Sequence, residues 1–166
     1  MSRTSVAGDV RDENDEIAAG IRSELDALGL PAVSLMGGPG CGKTSWLERT
    51  LERLGDQLTV GVIASDLATT RDLERLASLT PHATQIITGR GCHLEARGVR
   101  RAMAELRLDA LDLLVIESLG DLVCPAPLDL GEHRRVAMFS LAGGDDKPAK
   151  HPWMVLAADL ILLAKT

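Results

Sequence analysis

The chain has 166 residues, of which 45% are hydrophobic, and these values fit one folded domain rather than a disordered segment. Its formal net charge of −6 disfavours generic nucleic-acid binding, which requires a basic surface. No apolar run reaches the roughly 18 residues of a membrane span, and the polar N-terminus lacks the apolar segment of a signal peptide. We therefore expect a cytoplasmic protein without a membrane or nucleic-acid partner.

Predicted helices and strands alternate along most of the chain. Residues 1–13 are predicted to form a flexible N-terminal arm, and residues 14–166 one domain. Apolar spacing, glycines and prolines predict helices over 14–28, 45–54, 71–79 and 93–108. Short apolar runs predict strands over 32–36, 58–64, 83–88, 111–117, 134–141 and 159–164. This alternation is typical of a three-layer α/β fold, in which helices cover both faces of a mostly parallel sheet.

The segment between the first strand and the next helix carries a phosphate-binding pattern. Gly37, Gly42, Lys43 and Thr44 fit G-x-x-x-x-G-K-[ST]. Glycines let the backbone wrap an anion, Lys43 reaches terminal phosphates, and the Thr44 hydroxyl binds Mg²⁺. The alternative interpretation is an ordinary glycine-rich turn between strand and helix that contains Lys-Thr by chance. The predicted nucleotide-binding residues in this loop are Gly38, Pro39, Gly40, Cys41, Gly42, Lys43, Thr44 and Ser45.

Two acidic residues at strand ends are candidates for the Mg²⁺ site. Glu117 ends the fourth strand and begins E-S-L-G, which resembles the D-x-x-G switch of GTPases. The Gly120 N–H is therefore predicted to sense the γ-phosphate, and Asp66 follows the second strand. We predict Lys43, Thr44, Asp66 and Glu117 as the catalytic set, with the last three near Mg²⁺. The alternative is that Asp66 and Glu117 are simply solvated carboxylates at strand ends. Arg71 or Arg90 could serve as an arginine finger in a dimer, but this assignment is a guess.

A cysteine–histidine cluster is predicted at the same edge of the sheet. Cys92 and His93 follow the third strand, and Cys124 follows the fourth. The carboxyl ends of parallel strands meet at one edge, so these distant residues come together there. Thiolate and imidazole suit Zn²⁺, and imidazole also suits Ni²⁺. Three ligands imply an open site, or one completed by water or a second subunit. From the residues alone, ordinary packing and a catalytic Cys–His pair remain alternatives.

Taken together, these motifs resemble the HypB family of hydrogenase-maturation nickel-incorporation GTPases. The matching segments are collinear over residues 31–166 and read GGPGCGKTSWLERT, DLATTRDLERL, TGRGCHLEA, IESLGDLVCPAPLDLGEH and GDDKPAKHPWM. The combination of GCHL, LVCPA and GDDKP is much more specific than the phosphate loop alone. Urease-maturation GTPases share the loop but use a Cys-Pro-His metal motif, and they remain a weaker alternative.

The resemblance implies a Rossmann-like P-loop GTPase fold and a metallochaperone activity with slow GTP hydrolysis. GTP or GDP and Mg²⁺ would bind at the loop. Cys92, His93 and Cys124 would bind Ni²⁺ or Zn²⁺ at the interface of a nucleotide- or metal-dependent homodimer. The implied partners are a second hydrogenase-maturation protein and the hydrogenase large-subunit precursor.

The chain departs from the family pattern in four ways. It lacks the N-terminal Cys-x-x-Cys-type nickel motif and the His-rich arm of some members; Asp121 replaces an Asn, and Arg90 replaces a common glycine. The guanine-specificity motif N-K-x-D reads Ala164-Lys165-Thr166, where the sequence ends. We expect Lys165 to contact the nucleotide and the base specificity to be relaxed. The chain is either truncated or a short paralogue, so we also expect the last helix and strand of the family fold to be missing. A P-loop ATPase or kinase, or a non-catalytic binding module, remains an alternative.

Overall fold

Six strands form one parallel sheet at the centre of the domain. The computed structural model describes residues 6–89, 94–120 and 128–165, and of residues 6–11 the backbone alone. The strands lie in the order β3-β2-β4-β1-β5-β6, and all their pairings are parallel. Their bounds are Ala32–Gly37 for β1, Val60–Asp66 for β2, Ala83–Ile87 for β3, Leu113–Glu117 for β4, Arg134–Ser140 for β5 and Leu160–Ala164 for β6. The predicted α/β fold class is confirmed.

Helices cover both faces of this sheet. In chain order they are α1 (Val6–Leu28), α2 (Lys43–Leu54), α3 (Arg71–Ala77), α4 (Ala96–Met103), α5 (Lys147–Lys150) and α6 (Pro152–Ala157). On one face, α1 and α4 bury aliphatic residues such as Ile21 and Val99 against Ile63, Leu114 and Ile116. On the other, α2 and α3 bury Leu47, Leu51 and Leu76 against β2 and Val115. Among the described residues, no helix has the length and apolar character that crossing a membrane requires.

Several predicted boundaries were wrong. The first helix begins at Val6, so residues 6–13 are helical rather than part of a flexible arm. Apolar spacing did not predict these first two turns of the helix, because charged residues can continue a helix that faces solvent. The helix predicted over 93–108 is a shorter α4 followed by a 3-10 turn at Leu108–Ala110. The helices α5 and α6 were not predicted, since both are short and each begins at or next to a proline.

The strand β6 lies at one edge of the sheet and leaves apolar surface open. Leu160, Ile161 and Leu163 are 54%, 43% and 60% exposed. The two central strands β1 and β4 are instead almost completely buried. The register pairs Leu35 with Glu117, so the carboxyl ends of β1 and β4 lie side by side. This edge carries the candidate site.

Gly131 lies directly against α1, just before β5. Its φ of +86° is in the left-handed region, and a Cβ there would lie 2.5 Å from Ile21 Cγ2 and 2.8 Å from the Ala18 carbonyl oxygen. Ala18 and Ile21 are both completely buried, which leaves little room for movement. A side chain at this position would therefore combine backbone strain with a steric clash.

We expect Gly131→Ala to lower the free energy of unfolding by roughly 2–4 kcal/mol, as the sum of overpacking and left-handed strain. Urea denaturation followed by circular dichroism measures the change. Gly143→Ala is the matched control, because nothing lies within 4 Å of a Cβ there and its φ is ordinary. Similar stability losses in the two variants would contradict the packing of Gly131 on α1.

Candidate nucleotide site

The loop after β1 turns sharply into α2. Gly40 and Gly42 have φ values of 68° and 107°, which other residues adopt only with strain. The helix α2 begins at Lys43, and the Trp46 N–H donates its hydrogen bond to the Gly42 carbonyl oxygen at 2.8 Å. The partial positive charge of a helix N-terminus and its unpaired N–H groups attract anions. The local geometry is therefore that of a phosphate-binding loop.

Lys43 is held against the loop from which it starts. Its side chain is buried, and its Nζ donates to the Gly37 carbonyl oxygen at 2.9 Å and to the Gly38 carbonyl oxygen at 3.4 Å. A Cβ on Gly120 would lie 3.1 Å from Lys43 Nζ and 3.3 Å from the Pro39 backbone. The predicted switch glycine thus lies against the phosphate loop, and its lack of a side chain is what permits this approach.

Glu117 and Thr44 meet beside Lys43. The Thr44 hydroxyl donates to Glu117 Oε1 at 2.7 Å, and Ser65 Oγ donates to the Glu117 carbonyl oxygen at 2.7 Å. Burial raises the pKa of the Glu117 carboxyl, while the Thr44 hydrogen bond and the Lys43 charge act in the opposite direction. The second oxygen, Oε2, is buried and has no hydrogen-bond partner among the described residues. A buried carboxylate oxygen without a partner, next to a threonine hydroxyl, fits a Mg²⁺ ion.

Asp66 reaches the same cleft but is bonded to its own loop. Its Oδ1 accepts hydrogen bonds from the N–H groups of Ala68 and Thr69 at 3.0 and 3.4 Å, and its Oδ2 accepts one from Thr69 Oγ1 at 2.9 Å. The Ala68 hydrogen bond, with those from Thr69, lowers the pKa of the Asp66 carboxyl. Asp66 is therefore an ionised residue that shapes the loop after β2, and a direct role at Mg²⁺ stays a prediction.

The cleft around these residues has a volume of about 770 Å³. Its lining includes the phosphate loop, Glu117 and Gly120, and also Ala164 and Lys165 from the end of β6. Lys165 Nζ donates to the Gly40 carbonyl oxygen at 2.8 Å, which brings this side chain across the loop. All of the predicted nucleotide-binding residues except Gly38 thus line one cleft.

Asp72 and Arg75 of α3 also line the cleft, although neither was predicted as a site residue. Arg75 makes two hydrogen bonds to Glu48, at 2.7 and 2.6 Å, and its Nη2 donates to Ser45 Oγ at 3.2 Å. The Glu48 hydrogen bonds raise the pKa of the Arg75 guanidinium. Among the arginines that the structure describes, Arg75 rather than Arg71 lines the cleft. The i, i+3 spacing of Asp72 and Arg75 places both side chains on one face of α3, and this spacing was the sequence feature that could have identified them.

The predicted nickel or zinc ligands Cys92, His93 and Cys124 lie outside the described residues, as do Arg90 and Asp121. Within residues 6–89, 94–120 and 128–165 there is no group of three potential metal-binding side chains. Cys41, which is described, is a free and buried cysteine that packs with Leu35, Val136 and Met138. Its side chain thus packs in the core, while the residue also lines the cleft as part of the phosphate loop.

The central strand β1 of a parallel sheet leads through a glycine-rich loop into a helix that begins with Lys43 and Thr44. This arrangement defines a P-loop nucleotide-binding domain. The family model for the CobW/HypB/UreG nucleotide-binding domain matches residues 31–166. The chain belongs to this family, and within it to the HypB hydrogenase-maturation proteins.

Three similar proteins illustrate this relationship. The hydrogenase maturation factor HypB of Azotobacter vinelandii is 48% identical over 160 residues, which are 95% of this chain and 52% of that protein. The crystal structure of HypB from Archaeoglobus fulgidus superposes with a TM-score of 0.84 at 39% identity, over 92% of this chain and 74% of that one. The crystal structure of HypB from Helicobacter pylori in complex with nickel superposes with a TM-score of 0.83 at 37% identity, over 91% of this chain and 71% of that one. The chain therefore spans about half the length of the Azotobacter relative.

Replacing Glu117 tests whether burial of its ionised carboxyl group lowers the stability of the protein. In Glu117→Gln, we expect the free energy of unfolding without ligands to rise by about 1 kcal/mol at neutral pH, because an unpaired ionised oxygen is removed. The folded-state pKa is raised, so the wild type loses stability as pH rises from the ordinary glutamate pKa through the raised one. The advantage of the variant should therefore disappear at acidic pH.

Urea denaturation at acidic and neutral pH measures this difference. Glu24→Gln, which alters an exposed carboxylate on α1, is the control and should change little at either pH. A neutral-pH stability of Glu117→Gln at or below that of the wild type would show that the Glu117 charge is already well compensated.

Proposed function

We propose that this chain is the nucleotide-binding part of a metallochaperone GTPase, which binds nickel or zinc and assists nickel insertion during maturation of [NiFe]-hydrogenase. The observation that carries the proposal is the cluster of Lys43, Thr44 and Glu117, with Gly120 in contact with the phosphate loop. The names of the relatives support it, since they are hydrogenase maturation factors, and one HypB structure contains nickel.

Nucleotide binding would use the loop backbone and Lys43 for the phosphates. The N-terminus of α2 and the buried ammonium supply positive charge where the phosphates would lie. Lys165, bonded to Gly40, would pack beside the base or sugar. We favour GTP over ATP from the family, although Ala164 stands where the N-K-x-D motif has Asn.

Mg²⁺ would be held by the Thr44 hydroxyl and Glu117, with Asp66 at the rim of the cleft. When bound there, the ion would neutralise charge on the phosphate oxygens during slow GTP hydrolysis. Lys43 would stabilise the same charge from the side of the loop, and Glu117 would orient the Thr44 hydroxyl. Arg75 is the candidate arginine near the cleft, and release from Glu48 would be needed before it could contact a phosphate.

The cargo metal would bind to Cys92, His93 and Cys124. Cys124 follows Gly120 by four residues along the chain, so a phosphate contact at Gly120 would act on the segment that contains Cys124. Nucleotide state would in this way change the affinity for the metal. The proposal also includes a cytoplasmic location and a homodimer that depends on nucleotide or metal. Its partners would be a second maturation protein and the hydrogenase large-subunit precursor.

Nucleotide binding is tested with Lys43→Ala and a fluorescent GTP analogue. We expect a large loss of affinity, because the buried ammonium that faces the phosphates is removed. Competition by unlabelled GTP and ATP then identifies the base preference. Stronger competition by ATP would favour the ATPase or kinase alternative, and unchanged binding by Lys43→Ala would favour the non-catalytic binding module.

Coupling is tested by titrating Ni²⁺ and Zn²⁺ into the protein without nucleotide, with GDP and with a non-hydrolysable GTP analogue. We expect the metal affinity to differ between the GDP and GTP-analogue states, by the roughly 5- to 150-fold typical of coupled sites. Cys92→Ala and Cys124→Ala should weaken metal binding in every state. Equal affinities in all three nucleotide states would remove the coupling from the proposal.

A further inference from the structure

The guanidinium group of Arg75 connects α3 to the first turns of α2. Its Nε and Nη2 donate hydrogen bonds to the two carboxylate oxygens of Glu48, at 2.7 and 2.6 Å. Its Nη1 donates to Asp72 Oδ1 at 3.3 Å, and Nη2 donates a second hydrogen bond, to Ser45 Oγ, at 3.2 Å. The N–H groups of arginine form a rigid planar fork, so these hydrogen bonds together fix where the group lies.

The hydrogen bond from Arg75 determines what the Ser45 hydroxyl can do. A guanidinium group can only donate, whereas a hydroxyl accepts through its oxygen and donates its one hydrogen. Ser45 Oγ is therefore the acceptor in this pair. Within the part of the chain that the structure describes, Ser45 Oγ makes no other hydrogen bond. The hydrogen of this hydroxyl is thus left for an acceptor that the protein does not supply there.

Ser45 lies where such an acceptor would bind. It follows Lys43 and Thr44 in the first turn of α2, and all three residues line the cleft. The oxygens of a phosphate group bound at this helix start would be hydrogen-bond acceptors. A donor that is already oriented loses less conformational freedom when the ligand binds.

The charge of Arg75 is largely compensated by its own partners. Glu48 and Asp72 both form ion pairs with the guanidinium group, whose side chain is 44% exposed. Two carboxylates and solvent around one cation leave little attraction for an anion farther away. Orientation of a neighbouring group is therefore the larger contribution that Arg75 can make while it is bound to Glu48.

We propose that Arg75 is a positioning residue for nucleotide binding, which Glu48 holds in place and which orients the Ser45 hydroxyl as a donor to a phosphate oxygen. The ligand is a nucleoside di- or triphosphate. This role rests on the proposed nucleotide function, and it requires no release of Arg75 from Glu48.

The first test measures the affinity of a fluorescent GDP analogue for Ser45→Ala, Arg75→Ala and the double variant. We expect each single variant to lose about 10-fold, the contribution of one hydrogen bond to a charged group. The double variant should lose little more than either single variant, because Arg75 acts through Ser45. Losses that multiply in the double variant, or unchanged affinity in Ser45→Ala, would overturn the inference.

Arg75→Lys separates geometry from charge. Lysine keeps the positive charge, but it lacks the fork that bonds Glu48 and Ser45 at the same time. We therefore expect a loss of about 10-fold here as well. Wild-type affinity in Arg75→Lys would show that charge alone is sufficient, and would overturn the inference. This variant decides the outcome if Arg75→Ala does not fold.

Glu48→Asp separates positioning from a direct contact between Arg75 and a phosphate. The variant keeps the charge but shortens the side chain that holds the guanidinium group. If Arg75 orients Ser45, the affinity should fall by about 3-fold, the scale of a partly exposed ion pair. If Arg75 instead contacts a phosphate after leaving Glu48, the affinity should rise. Affinity equal to or above that of the wild type would therefore contradict the positioning role.

Glu52→Asp is the matched control. Glu52 forms an ion pair with Arg49 at 2.8 Å on the same helix, and neither residue lines the cleft. Shortening Glu52 should leave nucleotide affinity unchanged. A loss equal to that of Glu48→Asp would show a general effect of ion pairs on α2 and would overturn the inference.

Lys43→Ala separates the role of Arg75 from the function on which it rests. If Lys43→Ala loses nucleotide binding while the Arg75 variants bind like the wild type, the inference fails and the nucleotide site stands. If Lys43→Ala binds the analogue like the wild type, the nucleotide assignment itself fails, and the role of Arg75 fails with it.

Discussion

The parallel pairing of β1 with β4 is the constraint on which the candidate site depends. It places Leu35 opposite Glu117, so the phosphate loop that follows β1 and the carboxylate that ends β4 emerge at the same edge of the sheet. The hydrogen bond between Thr44 and Glu117 follows from this register. A shift of one residue would turn the Glu117 side chain toward the opposite face of the sheet, because neighbouring residues of a strand point in opposite directions. Both strands are buried against helices, and this burial specifies the register.

The electrostatics of the site favour a bound cation and anion over an empty cleft. Glu117 keeps one buried oxygen without a hydrogen bond, and Lys43 is buried with its ammonium group on loop carbonyl oxygens. Groups of this kind reduce the stability of a protein unless a ligand compensates for their burial. Such a site is therefore expected to gain stability when Mg²⁺ and a nucleotide bind. The same residues would thus hold the ligand and make the fold respond to it.

The two faces of the sheet serve different parts of the proposed function. The helix α2, which begins at the phosphate loop, packs on one face with α3, whereas α1 and α4 pack on the other. The segments that lead away from the predicted metal ligands are attached to α1 through Asn14 and Arg22. Gly120, against the phosphate loop, precedes Asp129 by nine residues along the chain. In the proposed function, this stretch of the chain would connect a nucleotide on one side with a metal on the other.

The sequence by itself determined the elements whose evidence is local. Apolar runs identified every strand of the sheet, and the spacing of Gly37, Gly42, Lys43 and Thr44 identified the phosphate loop, because both patterns are formed by neighbouring residues. The motifs also identified the family, and they remain the basis for Cys92, His93 and Cys124 as metal ligands.

Only the tertiary structure decided which distant side chains meet. It showed that Arg75 rather than Arg71 lines the cleft, that Asp66 bonds its own loop, and that Asn14 joins Ala96 to Asp129. These contacts depend on the strand order β3-β2-β4-β1-β5-β6 and on where α1 lies across it. Apolar periodicity records which face of an element is buried but not which element covers it, so the sequence pattern could not determine them.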